Sequence, residues 1–320
     1  MTATKRRVGA RTPAIGGQPG MAGWTALPIR DRRLLEWLWA GDVVTADLAA
    51  LLAYGGRRVA QRRLSRLVEY GILRGFWAAN MQRPRGRYAY ALTKAARSEI
   101  EYLIWEDKAP SAAKGKVYAP SPVIHQLATH DLLAAFLRGS PAADEVGLAG
   151  WVPERAAART YDDYVRPDAI AVFRARDRAA VLFIERDLGT ERRDVLGGKV
   201  DRYRLVTDRF GHREASLGII VESARRAAAI RSSLRHRQER FEQVQNPFEF
   251  PIWVVVTDDV AADPYGAVWQ SPMGDEATVL TMPPCELSYP LPILTPPALI
   301  PPGALGSLDD RVLAVINWRK

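Results

Sequence analysis

Apolar residues recur at helical spacing once past residue 28. Leu34, Leu35, Leu38 and Trp39 mark one face, and the pattern stops at Gly41. Thr45 then reads as the N-cap of a second helix carrying Leu48, Leu51 and Leu52, which ends at Tyr54-Gly55-Gly56. A third helix is predicted from about Arg57 to Tyr70, with Val59, Leu64, Leu67 and Val68 as core positions and Gly71 just past its end. The pattern next predicts strands at Ile72–Trp77 and Arg87–Leu92, after which Thr93 caps a fourth helix through Trp105.

Residues 108–121, rich in Pro, Ala and Lys, read as a linker, and the pattern changes beyond them. A helix at Val123–Leu137 leads into strands near Leu148–Pro153, Ala169–Arg174 and Ala180–Glu185. A helix over about Glu191–Val206, a strand at Leu217–Val221, a basic helix capped by Ser223 and a buried strand at Ile252–Thr257 complete it. The order α-β-β-β-α-β predicts an α/β sandwich, so the chain as a whole is α/β, or α+β counting the helical first part. The predicted division is a flexible basic arm (1–28), a helix-and-hairpin domain (29–107), the linker (108–121), the sandwich (122–282) and a Pro-rich tail (283–320). The tail is expected to lie extended over the second domain or to dock a partner.

Composition narrows the function. The chain has 320 residues, 48 % hydrophobic, and a formal net charge of +9. Residues 1–107 carry 18 Lys and Arg against 9 Asp and Glu, whereas 108–320 carry 27 against 27, so the excess belongs to the first third. This is the electrostatic footprint of a polyanion-binding module joined to a neutral domain. No apolar run approaches the ~18 residues of a membrane span, and a cytoplasmic protein without a membrane partner is expected. Cys285 is the single cysteine, which leaves neither a disulfide framework nor a thiolate zinc site. There is no Gly-rich phosphate loop of an ATP-driven motor and no tyrosine or histidine-cluster relaxase motif.

On the third helix, Arg57, Arg58, Gln61, Arg62, Arg63 and Arg66 cover much of the face that its core positions leave outside. Arginine can fork onto phosphate or onto guanine O6/N7, and Gln61 could pair with adenine, so the helix suits a major groove. The connection between the two strands carries Arg83 and Arg85 at its tip, and Arg87 stands at its base. Three helices, a basic hairpin and a closing helix, with Leu92-Thr93 after the hairpin, resemble winged helix-turn-helix domains.

Acidic residues of the second part fall at strand ends. Glu154 closes one strand, Asp168 opens the next behind Pro167, and Glu185 and Asp187 end the third. Hairpin pairing would set Asp168 beside Glu185, a carboxylate pair of the kind that holds Mg²⁺. Lys199 on the following helix could reach back to developing negative charge, and Tyr203 shares its face. Over roughly residues 123–221 the arrangement resembles the PD-(D/E)XK nuclease superfamily: Pro167-Asp168 matches its first motif and Glu185 the acid of its second. Aspartate stands at position 187 where the superfamily has lysine. Glu154 and Asp187 could imitate superfamily members that use an upstream glutamate and a second acid, or Lys199 could be the displaced lysine. His125 and His130, five apart, lie about 140° apart around a helix, so a zinc pair is not expected and one of them is read as a packing or inter-domain histidine.

The order and spacing of His125…His130-Asp131, Trp151-Val152-Pro153-Glu154, Arg166-Pro167-Asp168, Glu185-Arg186-Asp187-Leu188-Gly189-Thr190 and Lys199 with Tyr203, behind the winged helix, resemble the replication-relaxation family of plasmids and integrative elements. The resemblance implies a DNA-associated role in maintaining or mobilising such an element, and with the winged helix the primary expectation is a double-stranded-DNA-binding protein, with other replication or mobilisation proteins as candidate partners and a homodimer left open. Two alternatives stand beside it. One is a Mg²⁺-dependent endonuclease or nickase using Glu154, Asp168, Glu185, Asp187 and Lys199, with metal on Asp168 and Glu185; the other is a transcriptional regulator whose second domain only dimerises.

Overall fold

The computed structural model describes residues 27–78, 86–104, 120–139, 146–160, 164–175, 178–189, 193–210, 215–242, 250–279 and 281–282. Most of the basic arm, the tip of the hairpin with Arg83 and Arg85, most of the linker and the Pro-rich tail lie outside them.

The first unit runs α1 (Ile29–Gly41), β1 (Val43–Val44), α2 (Ala46–Ala49, continued by a π turn at Ala50–Tyr54), α3 (Arg57–Glu69), β2 (Leu73–Ala78), β3 (Arg87–Leu92) and α4 (Lys94–Ile104). The Thr45 side chain accepts from the Leu48 amide at 3.3 Å and so caps α2. Ala60, Leu64 and Leu67 give α3 its buried stripe, while Val59, read from the sequence as core, stands 37 % exposed. Its predicted place fails because it falls off the Ala60–Leu64–Leu67 face. The helix ends where Gly71 adopts φ +72°, letting the Ile72 amide donate back to the Leu67 carbonyl and the Gly71 amide to that of Val68. Strand β1, two residues long and not predicted, pairs with β3 to make a three-stranded sheet ordered β1-β3-β2.

The second unit runs α5 (Pro120–Gly139), β4 (Val146–Pro153), α6 (Glu154–Thr160), β5 (Ala169–Ala175), β6 (Arg178–Asp187), α7 (Arg193–Phe210), β7 (Ser216–Val221), α8 (Ala224–Glu242), β8 (Ile252–Val256), α9 (Thr257–Ala262), β9 (Trp269–Gln270) and β10 (Glu276–Ala277). The strands form one sheet in the order β10-β9-β8-β7-β6-β5-β4. Pairing is antiparallel from β4 to β6, parallel through β6-β7-β8, and antiparallel beyond. The parallel centre reads SLGIIV and IWVVV, the near-continuous apolar runs of strands covered on both faces.

Helix α5 joins the two units. From Val123 to Leu137 its residues are buried or half-buried, so it is enclosed on most sides. Val123 and Leu127 pack with Val43, Ala78, Ala89 and Ala91 on the small sheet, and Phe136 meets Phe173 of β5 edge-on at 4.9 Å. The larger core cluster runs from Leu34 through Trp151 to Val255, and the cluster around Val123 and Leu127 is a second, smaller one. At the junction Asp42 sits at φ +59°, a conformation that an L-residue other than glycine rarely holds. Its carboxylate draws Arg97 and Arg155 to 2.8 Å each and accepts from Gln126 at 3.2 Å, so α4, α5 and α6 all pin the end of α1.

Candidate functional site

On α3 the fold separates the six polar residues singled out in the sequence. Arg58, Gln61, Arg62 and Arg66 are exposed. Arg57 is exposed as well, and its guanidinium meets Asp47 at 3.3 Å. Arg63 turns inward to Asp31, donating from Nε at 3.3 Å and from a terminal nitrogen to the other oxygen, while the Tyr54 hydroxyl donates to the same carboxylate at 2.9 Å. Asp31 is buried, so this is a structural anchor fixing α3 onto α1 and α2. Arg63, expected from the sequence on the outward row, is thus held by a partner inside its own unit. Arg87 is likewise engaged, with Asp131 of α5 at 2.6 Å, and serves the junction between units. Arg83 and Arg85 lie outside the described residues.

The acidic residues gather where β5 begins and β6 ends. The antiparallel register sets Ala169 opposite Ile184, which brings Asp168 alongside Glu185 and Arg186. Asp168 accepts from the Arg186 amide at 2.6 Å on one oxygen and meets His125 Nε2 of α5 at 2.9 Å on the other. Glu185, buried, accepts from Lys199 Nζ at 2.9 Å and from the Tyr203 hydroxyl at 2.5 Å. Lys199 and Tyr203 stand one turn apart on α7, so both reach the same carboxylate. Glu154, at the start of α6, shares a cleft with Asp168 and His125, walled on its far side by Ala40 and Gly41 of α1.

Burial raises the Glu185 carboxyl to about 7; the Asp168 charge adds to this, and Lys199 and Tyr203 oppose it. Glu154 is also raised, first by burial and then by Asp168. Burial works against a charged His125, but its contact with Asp168 and the carboxylates of Glu154 and Glu185 prevail and raise it. His130, read together with His125 in the sequence, lines the same cleft. It stacks edge-on against Trp37 at 4.7 Å, and complete burial lowers it to about 3, so it is neutral.

Asp187 does not join this cluster through its side chain. One oxygen accepts from the Gly189 amide at 2.7 Å and the other from Arg226 of α8 at 2.6 Å, so this aspartate closes the turn after β6. Nor does the donor set fit Mg²⁺ in this arrangement. Each oxygen of Asp168 and Glu185 already takes a donor from the protein, and among the described residues no three His, Cys, Asp or Glu side chains converge as ligands. What the cluster can do is hold and exchange protons: two carboxylates, an imidazole, an ammonium and a phenol in contact.

A family model described as replication-relaxation matches residues 35–221. The chain belongs to the replication-relaxation family. No curated protein and no solved structure matches it. The span matched in this replication-relaxation chain begins in α1 and ends with β7, so it takes in α3, the hairpin, the Asp42 junction and every residue of the acidic cluster. Among the described residues no helix is long and apolar enough to cross a membrane.

Two contributors were missed in the sequence. His125 and His130 were not told apart, because a histidine on a helix of this kind carries no mark of what faces it: His125 meets Asp168 and His130 stacks on Trp37. Asp42, one residue after a helix-ending glycine, looks like any polar turn residue until three elements converge on it.

Proposed function

We propose that this replication-relaxation protein binds double-stranded DNA and acts in the replication or mobilisation of a plasmid or integrative element. The observation that supports it best is the exposed row Arg58, Gln61, Arg62 and Arg66, on a helix held rigidly from behind by Leu64, Leu67 and the Arg63–Asp31 pair. Such a helix can enter a major groove with cations on its flanks and an amide in reach of base edges. The neutral second unit adds further contact with DNA or with another replication protein. Fluorescence anisotropy of a labelled duplex across a salt series tests this. Removing one arginine from a phosphate should flatten the log–log salt slope by about 1, so Arg62→Ala/Arg66→Ala should bind more weakly with a slope lower by about 2. An unchanged slope would remove α3 from the interface.

A second reading, endonuclease or nickase, is favoured by one observation: Asp168 and Glu185 lie together at the ends of β5 and β6, with Lys199 of α7 on Glu185. Supercoiled plasmid incubated with and without divalent cation, beside Asp168→Asn and Glu185→Gln, decides it. Nicking abolished in both variants makes the protein an enzyme, and intact DNA in a retarded band leaves it a binding protein.

A further inference from the structure

The β2–β3 hairpin has two unlike faces. One carries Phe76, Ala78, Ala89 and Ala91 and is closed by α5. The other begins in the core of the first unit with Leu73, Tyr90 and Leu92, beside Leu64 and Leu67 of α3. Toward the tip it runs out into Trp77 directly opposite Tyr88. These two rings are 69 % and 43 % exposed and meet edge-on at 5.4 Å, and Tyr88 meets Tyr90 edge-on at 5.2 Å. Gly75 makes room for this ladder, since a Cβ there would stand 2.3 Å from the Tyr88 hydroxyl oxygen. The hairpin is thus braced from behind, with its outermost aromatics left uncovered.

Their surroundings point to the occupant. Neither β2 nor β3 contains a carboxylate. Helix α3, packed on this same face, presents Arg58, Arg62 and Arg66 outward. Exposed aromatics bordered by cations suit a polyanion that also offers flat apolar surface, and duplex DNA offers both phosphates and base and sugar edges.

We propose that Trp77 and Tyr88 form an aromatic contact to duplex DNA beside the groove taken by α3, packing on a sugar or base edge while the arginines hold phosphates. This rests on the DNA-binding reading above and adds a contact of a different kind. Removing apolar surface from water releases no counterions, so the aromatic contribution leaves the salt slope alone, unlike an arginine–phosphate contact.

The test is anisotropy with a labelled duplex at four salt concentrations, using the full chain and its Trp77→Ala, Trp77→Phe, Tyr88→Ala and Arg62→Ala variants, each checked for wild-type thermal unfolding. Trp77→Ala should weaken binding on the order of tenfold at every salt concentration with an unchanged slope, and Trp77→Phe should recover most of the loss. Arg62→Ala should instead flatten the slope. Wild-type affinity in both Trp77→Ala and Tyr88→Ala, while the parent protein binds DNA, would overturn the aromatic contact alone and assign this surface to a protein partner. A flattened slope in Trp77→Ala would also overturn it. Absence of DNA binding by the parent protein would instead sink the DNA-binding reading on which it rests.

Discussion

Neighbouring arginines on α3 should fail in different ways. Asp31 is 1 % exposed and its carboxylate has three donors, two from Arg63 and one from Tyr54. Arg63→Ala leaves a buried charge with the phenol alone. Breaking a buried pair from one side costs about 3–5 kcal/mol, but the Arg63 side chain is itself 26 % exposed and water can enter the space it leaves. The expected loss is therefore nearer 2–3 kcal/mol, a large part of the ~5–15 kcal/mol that holds a domain folded. Urea denaturation should show it as a lower midpoint. Adding Asp31→Ala should restore part of the loss, giving a coupling of about 1–3 kcal/mol in a double-mutant cycle. Arg62→Ala, on the exposed face, should stay within ~0.5 kcal/mol of the parent protein. In the anisotropy assay, at a temperature where both variants are folded, Arg62→Ala should flatten the salt slope and Arg63→Ala should not. The reasoning fails if Arg63→Ala is as stable as the parent protein and lowers the salt slope, because Arg63 would then be a phosphate contact and Asp31 would hold its charge without it.

Other tests follow from the buried titratable groups and the junction. Glu185 rises from its ordinary 4.5 to about 7, so the folded state binds the extra proton and stability should fall as pH rises from about 4.5 to 7. Glu185→Gln should remove that decline in urea midpoints taken across this window, and parallel profiles would refute it. His130 falls from 6.5 to about 3, so the unfolded state binds more protons between those values and stability should decline as pH drops below about 6.5. His130→Gln should weaken this acid sensitivity in the same titration. Asp42→Ala should cost ~2 kcal/mol or more by leaving Arg97 and Arg155 without their shared carboxylate, and should speed proteolysis at the junction; unchanged resistance would show that the apolar contacts of α5 suffice. Gly218→Ala on β7 would place a Cβ 2.8 Å from the Trp269 ring and 3.1 Å from Leu182, for a loss of about 1–3 kcal/mol by thermal unfolding; a neutral result would mean that this core yields more readily than its packing implies.

Much of the architecture was legible in the sequence because it is written in short-range patterns. The period of Leu34–Trp39, the Thr45 cap, the turn at Gly71 and the apolar runs at Leu217–Val221 and Ile252–Val256 each follow from local backbone preferences and from the need to bury one face. Two-residue β1 left no such mark, since Val43-Val44 gains its partner only when β3 returns alongside.

The site divides along the same line. The sequence by itself determined which residue types were present and where they fell on their own elements: arginines on α3, acids at the ends of β5 and β6, a lysine and a tyrosine one turn apart on α7. Only the tertiary structure decided what each one faces. It turned Arg63 to Asp31 and Arg87 to Asp131, closed Asp187 onto Arg226, and carried His125 across to Asp168. A charge pairs with whatever lies within a few ångströms, and separations of 32, 44, 39 and 43 positions along the chain say nothing about that distance until the core of α5 and the two sheets has been packed.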